Sequence, residues 1–225
     1  MPSPITAAGK AQRIPISKKR RLIAQRLVAS RQLTVPVTLT TKANATNLVN
    51  LRNQFKSTNS THPIPSFQDI ITKLVAEVLK QHMFLAGRWE EDAIVLPAHH
   101  ELDIGMAVDT EDGLLVPVVR FADGKSLSHI SAEVKEFGAK AKAKKLQPAD
   151  WEGSTFTISN LGMFGIEEFT AIINPPDACI LAVGGIAQVP VVKNGQVVPG
   201  NVMKVTLSCD HRVVDGAAGA AFLQT

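Results

Sequence analysis

The sequence predicts an α+β fold: an α/β two-layer sandwich, with a mixed sheet and helices packed on one face. Three observations lead there. Helical and strand-like stretches come in blocks rather than in regular alternation, which disfavours a doubly wound parallel sheet. No repeat period is present, which sets aside solenoids and propellers. The 225 residues are 45% hydrophobic and 20% charged, an ordinary globular mix for one large domain or two small ones.

The elements follow in order. Residues 1–12 contain Pro, Ser, Ala and Gly and little that can be buried; they read as a flexible linker, leaving 13–225 as the folded domain. Ser17 can cap a helix to about residue 31, with Ile23, Ala24, Leu27 and Val28 as a narrow apolar stripe and basic residues elsewhere. That helix runs directly into a β-branched stretch over 35–41, so it is taken as part of the fold and not as a transit peptide. A second helix is expected over 46–56, with Leu48, Leu51 and Phe55 on one face. Ser66-x-x-Asp69 is a capping-box signal opening a helix to about 81, with Ile70, Ile71, Leu74, Val75, Val78 and Leu79 at helical spacing. Residues 89–96 read as a hairpin. Strands are expected over 102–109 and 114–119, joined by a turn at 110–113, with Pro117 marking an edge or a bulge. Residues 126–146 form an amphipathic helix expected to end at Pro148. Four strands follow, over 154–159, 178–186, 189–198 with an Asn194-Gly195 turn, and 202–208. A last helix starts at Gly216.

Charge is distributed unevenly. Residues 1–68 hold 11 Lys+Arg and no acid, whereas 69–225 hold 13 Lys+Arg and all 20 Asp+Glu, a net of −7. Such asymmetry suits a nucleic-acid contact, a membrane contact or a phosphorylated ligand, or simply a solvated basic helix. Lys18-Lys19-Arg20-Arg21 has no aromatic stacking platform beside it. The longest near-continuous apolar run, 178–187, is half the length of a membrane span, and no signal-peptide layout is present. Two cysteines, Cys179 and Cys209, exclude a disulfide scaffold and cannot make a structural zinc site alone. The glycosylation patterns at Asn44 and Asn59 lack a secretory context. Phosphate-loop, dinucleotide-binding and nucleophile-elbow motifs are missing, and the six histidines lack metal spacing. His62, His82 and His129 read as surface or cap residues, and the side chains of His99 and His100 would diverge on a strand.

The segment Ser208-Cys209-Asp210-His211-Arg212-Val213-Val214-Asp215-Gly216 stands apart. An apolar strand ends in a cluster of ionisable residues and then in a small-residue helix start. Histidine at a strand end is rigidly held and suits a general base. Asp215, four residues on, can orient the ring or pair with Arg212. The second is favoured, because Arg212 would otherwise stand in a crowded turn without a partner. Two other readings stay open: a structural Asp–His–Arg ion cluster, and a thiol site using Cys209 with His211.

Asp210-His211-Arg212-x-x-Asp215-Gly216 resembles the signature of the dihydrolipoamide acyltransferases, the core components of the 2-oxo acid dehydrogenase complexes, which are related in fold to chloramphenicol acetyltransferase. The resemblance extends over residues 13–225. Arg20-Arg21-Leu22-Ile23-Ala24-Gln25-Arg26-Leu27 is similar to the family's N-terminal helix. Asp103-Ile104-Gly105-Met106-Ala107-Val108 and Gly113-Leu114-Leu115-Val116-Pro117-Val118-Val119 are similar to its paired central strands. Phe156-Thr157-Ile158-Ser159-Asn160-Leu161-Gly162 and Ile173-Asn174-Pro175-Pro176 match further segments in the same order.

The resemblance implies catalytic roles for three residues. His211 falls on the active-site histidine, Asp215 on the second acid of the motif, and Ser159, 52 residues before His211, on the hydroxyl that assists at the transition state. It implies coenzyme A and a lipoyl group as substrates, no metal, and His211 and Ser159 meeting across the interface of a homotrimer that assembles into a cubic or dodecahedral core. Residues 156–183, with Leu161-Gly162-Met163-Phe164-Gly165, are most similar to the acetyl-transferring, pyruvate branch; the succinyl and branched-chain branches resemble them less closely, and the same chemistry with a succinyl or branched-chain acyl group is the alternative. The basic N-terminal third is then expected to hold the coenzyme's phosphates, with Arg52 as the candidate contact. A lipoyl domain and a peripheral-subunit-binding domain are not part of the sequence, and the family continues about fifteen residues past the position of Thr225. The decarboxylase and flavoprotein components of the complex are expected to bind through those missing domains. The expected compartment is the bacterial cytoplasm or the mitochondrial matrix, with no membrane or nucleic-acid partner. Two competing readings are a non-catalytic core homologue and a basic nucleic-acid-binding protein; the first would be expected to lose the histidine or the serine, and both are present.

Overall fold

The computed structural model describes residues 12–58, 63–98, 101–110 and 113–225. The linker expected up to residue 12, the Asn59 pattern, His62, His99, His100 and the centre of the 110–113 turn therefore lie wholly or largely outside the described residues. The chain runs α1 (Lys18–Leu33), β1 (Pro36–Asn44), α2 (Thr46–Ser57), α3 (Phe67–Leu79), β2 (Arg88–Trp89), β3 (Ile94–Val95), β4 (Ile104–Met106), β5 (Val108–Thr110), β6 (Gly113–Leu115), β7 (Val118–Val119), α4 (Leu127–Lys142), α5 (Pro148–Trp151), β8 (Phe156–Asn160), β9 (Cys179–Val183), β10 (Ala187–Lys193), β11 (Gln196–Asp210) and α6 (Gly216–Gln224).

Among the described residues, seven strands form a sheet: six follow the order β1-β11-β9-β8-β4-β7, and β10 pairs β11 off that path. The pairs β4–β8 and β8–β9 are parallel and the rest antiparallel, so the sheet is mixed, as expected. Side chains alternate across it. Phe156, Ile158, Cys179, Leu181, Val183, Val205, Leu207 and Cys209 join the core under the helices, with Ile70, Ile71, Val75 and Leu79 of α3 and Ile130 and Phe137 of α4. The alternate residues, Thr157, Ser159, Ala182, Thr206, Ser208 and Asp210, belong to the second face. There Thr40 and Thr206 share a hydroxyl hydrogen bond of 3.0 Å. Helix α6 packs closely on β1 and β11 because residue 219 is glycine: a Cβ there would lie 2.8 Å from Leu39 Cδ1.

The caps expected at Ser17 and at Ser66 form, and Ser126 adds a third. Ser17 accepts from Arg20 N, Ser126 accepts from His129 N, and Ser66 and Asp69 complete a reciprocal capping box. Three boundaries differ. The strands expected over 102–109 and 114–119 each break in two, with β4 and β7 in the main sheet and β5 and β6 in a separate ladder. Pro117 lies at the break, where it has no N–H to continue a ladder, and β7 is the sheet edge. The stretches expected over 189–198 and 202–208 are not separate: the second arm of the hairpin and the later strand are one fifteen-residue strand, β11. Asn194 (φ 52) and Gly195 (φ 76) make the turn with two left-handed residues. Helix α4 stops at Lys142, before Pro148. Lys144 takes a left-handed φ of 56, and Lys144 N and Lys145 N bond back to Ala141 O and Lys140 O, which satisfies the last carbonyls. Pro148 instead starts α5, as proline does at a first helical position.

On α1 the apolar stripe is mostly uncovered: Ala24, Leu27 and Val28 are exposed and Ile23 is half-buried, and the exposed Ile14, Ile16, Leu22, Leu33 and Val35 flank them. No helix among the described residues is long and apolar enough to cross a membrane.

Candidate active site

Strand β11 carries the site to its place. Its last six residues are buried, and Asp210 closes the strand. The Asp210 carboxylate accepts hydrogen bonds from the backbone N–H groups of Val35 and Arg212 and from Nε and Nη2 of Arg212. Burial pushes this carboxyl up, but the Arg212 guanidinium and the two backbone donors outweigh burial and hold it below the ordinary range. The Arg212 guanidinium stacks over Trp89 at 4.9 Å. This clamp fixes the turn that follows, and His211 N donates to Val35 O.

The His211 ring is thereby presented at the end of a buried strand while its side chain stays 47% exposed. Its Nδ1 lies 3.7 Å from Asp215 Oδ1, and Asp215 is 83% exposed at the start of α6. The expected pairing of Asp215 with Arg212 is therefore incorrect. Asp210, directly before the histidine, already occupies the guanidinium with hydrogen bonds down to 2.6 Å, and Asp215 faces the imidazole. The structural Asp–His–Arg cluster fails in the same way, since the ion pair is Asp210 with Arg212 and leaves the ring out. A thiol site of Cys209 with His211 is also incorrect. The Cys209 side chain is 1% exposed and turned into the core under α6, against Cys179, whereas the histidine is open to solvent.

Ser159 lies on β8, half-buried, on the second face of the sheet. The register shows how far it is from the histidine. Ser159 pairs with Ala182, and Ala182 with Thr206, so Ser159 and Thr206 are two strands apart in one row. Asp210 is four residues farther along β11. Two strand spacings and a four-residue rise give roughly 17 Å between Ser159 and Asp210, and His211 lies one residue beyond. Within one chain, the serine and the histidine do not meet.

Arg52 projects from α2 over the Phe67 ring at 4.9 Å, and its Nε is buried without a hydrogen-bond partner among the described residues. Phe67 adjoins Gln68, whose Oε1 accepts from Asn160 Nδ2 at 3.1 Å, and Asn160 follows Ser159. Arg52 is thus connected to the serine end of the site and not to the histidine end.

Several residues that shape this region were given no role from sequence. Asp210 and Trp89 are the clamp; the signal for Asp210 was its place beside His211 and Arg212. Asp177 is a fully buried carboxyl that accepts from Ser154 Oγ at 2.9 Å and from Thr157 Oγ1, with Asn174 Nδ2 donating to that same threonine hydroxyl. Burial outweighs these hydroxyl donors and raises its pKa to about 7. Ser208 lines a cavity of about 190 Å³ with Ser30, Thr34 and Thr38, and its buried hydroxyl has no hydrogen-bond partner among the described residues. A second cavity, about 510 Å³, lies along α4 and includes His129 but none of the predicted site residues. His82 packs edge-on against Phe222, a structural place. The described residues contain no group of three or more His, Cys, Asp or Glu side chains fit to hold a metal ion.

The family model for the 2-oxoacid dehydrogenases acyltransferase (catalytic domain) matches residues 8–225. The dihydrolipoyllysine-residue acetyltransferase component of the pyruvate dehydrogenase complex of Rickettsia felis is 44% identical over 214 residues, covering 93% of this chain and 51% of that protein. The mitochondrial counterpart of Dictyostelium discoideum is 40% identical over 98% of this chain and 34% of its own length. The chain thus spans about half the length, or less, of these curated relatives. The solved cubic core of the pyruvate dehydrogenase multienzyme complex superposes with a TM-score of 0.91 at 32% identity, over 99% of this chain and 94% of that one. The dihydrolipoamide acetyltransferase of Azotobacter vinelandii gives the same values. It was studied for the role of a serine, a histidine and an asparagine in its catalytic mechanism; the histidine follows the serine by 52 positions and the asparagine follows the histidine by four. Chloramphenicol acetyltransferase shares the fold alone, with a TM-score of 0.54 at 13% identity.

Proposed function

The chain belongs to the family of 2-oxoacid dehydrogenase acyltransferase catalytic domains, and on that premise we propose that it moves an acetyl group between a dihydrolipoyl arm and coenzyme A and builds the oligomeric core of a pyruvate dehydrogenase complex. One observation carries the reading: a half-exposed imidazole at the end of a buried, clamped strand, with a serine 52 residues before it and a carboxylate four residues after it. The spacing equals that of the serine, histidine and asparagine of the Azotobacter enzyme, with Asp215 in place of the asparagine.

In this reading His211 takes the proton from the attacking thiol of coenzyme A or of dihydrolipoamide, depending on direction. Thiol and imidazole differ by roughly 2 pKa units in water, so full proton transfer is uphill by about 2.7 kcal/mol. Transfer in concert with attack avoids most of that cost. The thiol sulfur bonds to the thioester carbonyl carbon, and the carbonyl oxygen becomes an oxyanion. Ser159 of a neighbouring copy donates a hydrogen bond to it. Collapse breaks the original C–S bond, and the imidazolium returns its proton to the departing thiolate.

The roughly 17 Å between Ser159 and the end of β11 within a chain supports a site shared between copies, and the uncovered stripe of α1 supplies apolar surface for an interface. We assign the assembly as a trimer within a larger core, with lipoyl domains and the decarboxylase and flavoprotein components as partners. Arg52 is the proposed contact for a coenzyme phosphate, supported by its unpartnered Nε near the serine end. The relatives are bacterial and mitochondrial proteins, which supports the bacterial cytoplasm or the mitochondrial matrix as the compartment.

The test is a transfer assay from acetyl-, propionyl-, succinyl- and isobutyryl-coenzyme A to dihydrolipoamide. The proposal expects the highest kcat/KM with acetyl, and leakage to propionyl because a pocket separates small apolar groups by only about 1–3 kcal/mol per methylene. A higher kcat/KM for succinyl overturns the acyl assignment, and no transfer with any donor overturns the enzyme.

A further inference from the structure

Cys179 and Cys209 are the two cysteines of the chain, both buried, and the acyl-transfer chemistry uses neither. They are in-register partners on the antiparallel strands β9 and β11. The bond from Asp210 N to Ala178 O makes this a pair flanked by ladder hydrogen bonds and not joined by them. Pairs of that kind hold their Cα atoms about 4.5 Å apart, with side chains side by side. Disulfides span Cα separations of about 4.4–6.8 Å. Both thiols point to the same face, into the core beneath α6, where the covering residue is Gly219. Burial, with the neighbouring Cys209 thiol, holds the Cys179 thiol well above the ordinary thiol range, so Cys179 rests protonated and slow to react.

We propose that Cys179 and Cys209 form a modification site, a cross-strand dithiol that closes to an intramolecular disulfide under a small two-electron oxidant of the peroxide class. One thiol, as its thiolate, attacks a peroxide oxygen; the O–O bond breaks, and a sulfenic acid and water form. The second thiol then attacks the sulfenic sulfur, the S–S bond forms and a second water leaves. Overall, two thiols and one hydrogen peroxide give one disulfide and two waters. Hydrogen peroxide is neutral and near the size of water, so it can enter when the nine-residue α6 opens, a local event far smaller than unfolding. The bridge would tie β9 to β11 two residues before His211. It stands independently of the acyl-transfer reading.

The experiment treats the assembled protein with hydrogen peroxide, blocks remaining thiols with iodoacetamide, runs a non-reducing gel and maps tryptic peptides from the monomer band. Cleavage after Lys145 and Lys193 releases the Cys179 peptide, and cleavage after Lys204 and Arg212 releases the Cys209 peptide. The proposal expects the two peptides joined, lighter than their sum by two hydrogens, and separated by dithiothreitol. Met163, 85% exposed and on the same peptide as Cys179, reports that the oxidant acted. Met163 converted to its sulfoxide while both cysteines remain alkylated overturns the proposal. So do sulfinic or sulfonic acids on either cysteine without a linkage, and so do linked peptides confined to the dimer band.

Discussion

Replacing Asp177 by asparagine should change how stability depends on pH, by an amount that the structure fixes. The carboxyl is fully buried, its donors are two hydroxyls, and its pKa rises from 3.8 to about 7. A raised carboxyl keeps its proton in the folded chain after the unfolded chain has lost it. Between these two values the native state binds more protons, so stability falls as pH rises and levels off above about 7. The difference of about three units corresponds to about 4 kcal/mol in all, of which roughly two-thirds falls between pH 5 and pH 8. Asparagine can accept from Thr157 and donate to Ser154 without titrating. The assay is thermal unfolding of both proteins at equal concentration from pH 5 to pH 8. For a chain of this size, 1 kcal/mol moves the midpoint by about 2–4 °C. The wild-type midpoint should therefore drop by roughly 5–10 °C relative to Asp177→Asn over that range. Parallel curves for the two proteins would refute the buried, uncompensated carboxyl.

His211→Ala should lower kcat by about 10²–10⁴-fold with assembly intact, measured as transfer rate beside sedimentation, because the ring is half-exposed and anchors no core. Ser159→Ala should lower kcat by about 10²–10³-fold without moving the pH profile, since a hydroxyl does not titrate in this range. Asp215→Asn should lower kcat by no more than about fivefold, because an exposed pair 3.7 Å apart contributes at most about 1 kcal/mol. Arg212→Ala should cost about 2–3 kcal/mol in urea unfolding, below the 3–5 kcal/mol of a fully buried pair, because the arginine is a third exposed while Asp210 is not.

Local signals carried most of the fold. Ser66 and Asp69 wrote a capping box that forms, and of the apolar residues at helical spacing Ile70, Ile71, Val75 and Leu79 are buried on α3 and Val78 is partly buried, whereas Leu74 is exposed. What failed was tertiary in origin. Strand β11 reads as two pieces because Pro199-Gly200 looks like a break, yet pairing with β10 on one side and β1 on the other carries it through. The end of α4 depends on a left-handed lysine, Lys144, a conformation that lysine does not advertise. In the site, His211 and Asp215 stood out in the segment that ends β11, whereas Ser159 came only from the family resemblance. The partner of Arg212 did not, because sequence distance favours neither Asp210 nor Asp215, and only the turn after β11 brings Asp210 onto the guanidinium. Asp177 was invisible for a similar reason: a carboxyl after Pro-Pro reads as a turn residue until the sheet buries it.

The shared site is tested most directly by mixing subunits. His211→Ala and Ser159→Ala proteins, each inactive, are dissociated, combined and reassembled, with subunit exchange verified by mass-tagged chains. If His211 of one copy works with Ser159 of another, some sites regain both groups, and equal mixing should restore on the order of a quarter of wild-type transfer activity. Verified exchange with activity no higher than that of the two variants alone would contradict the account.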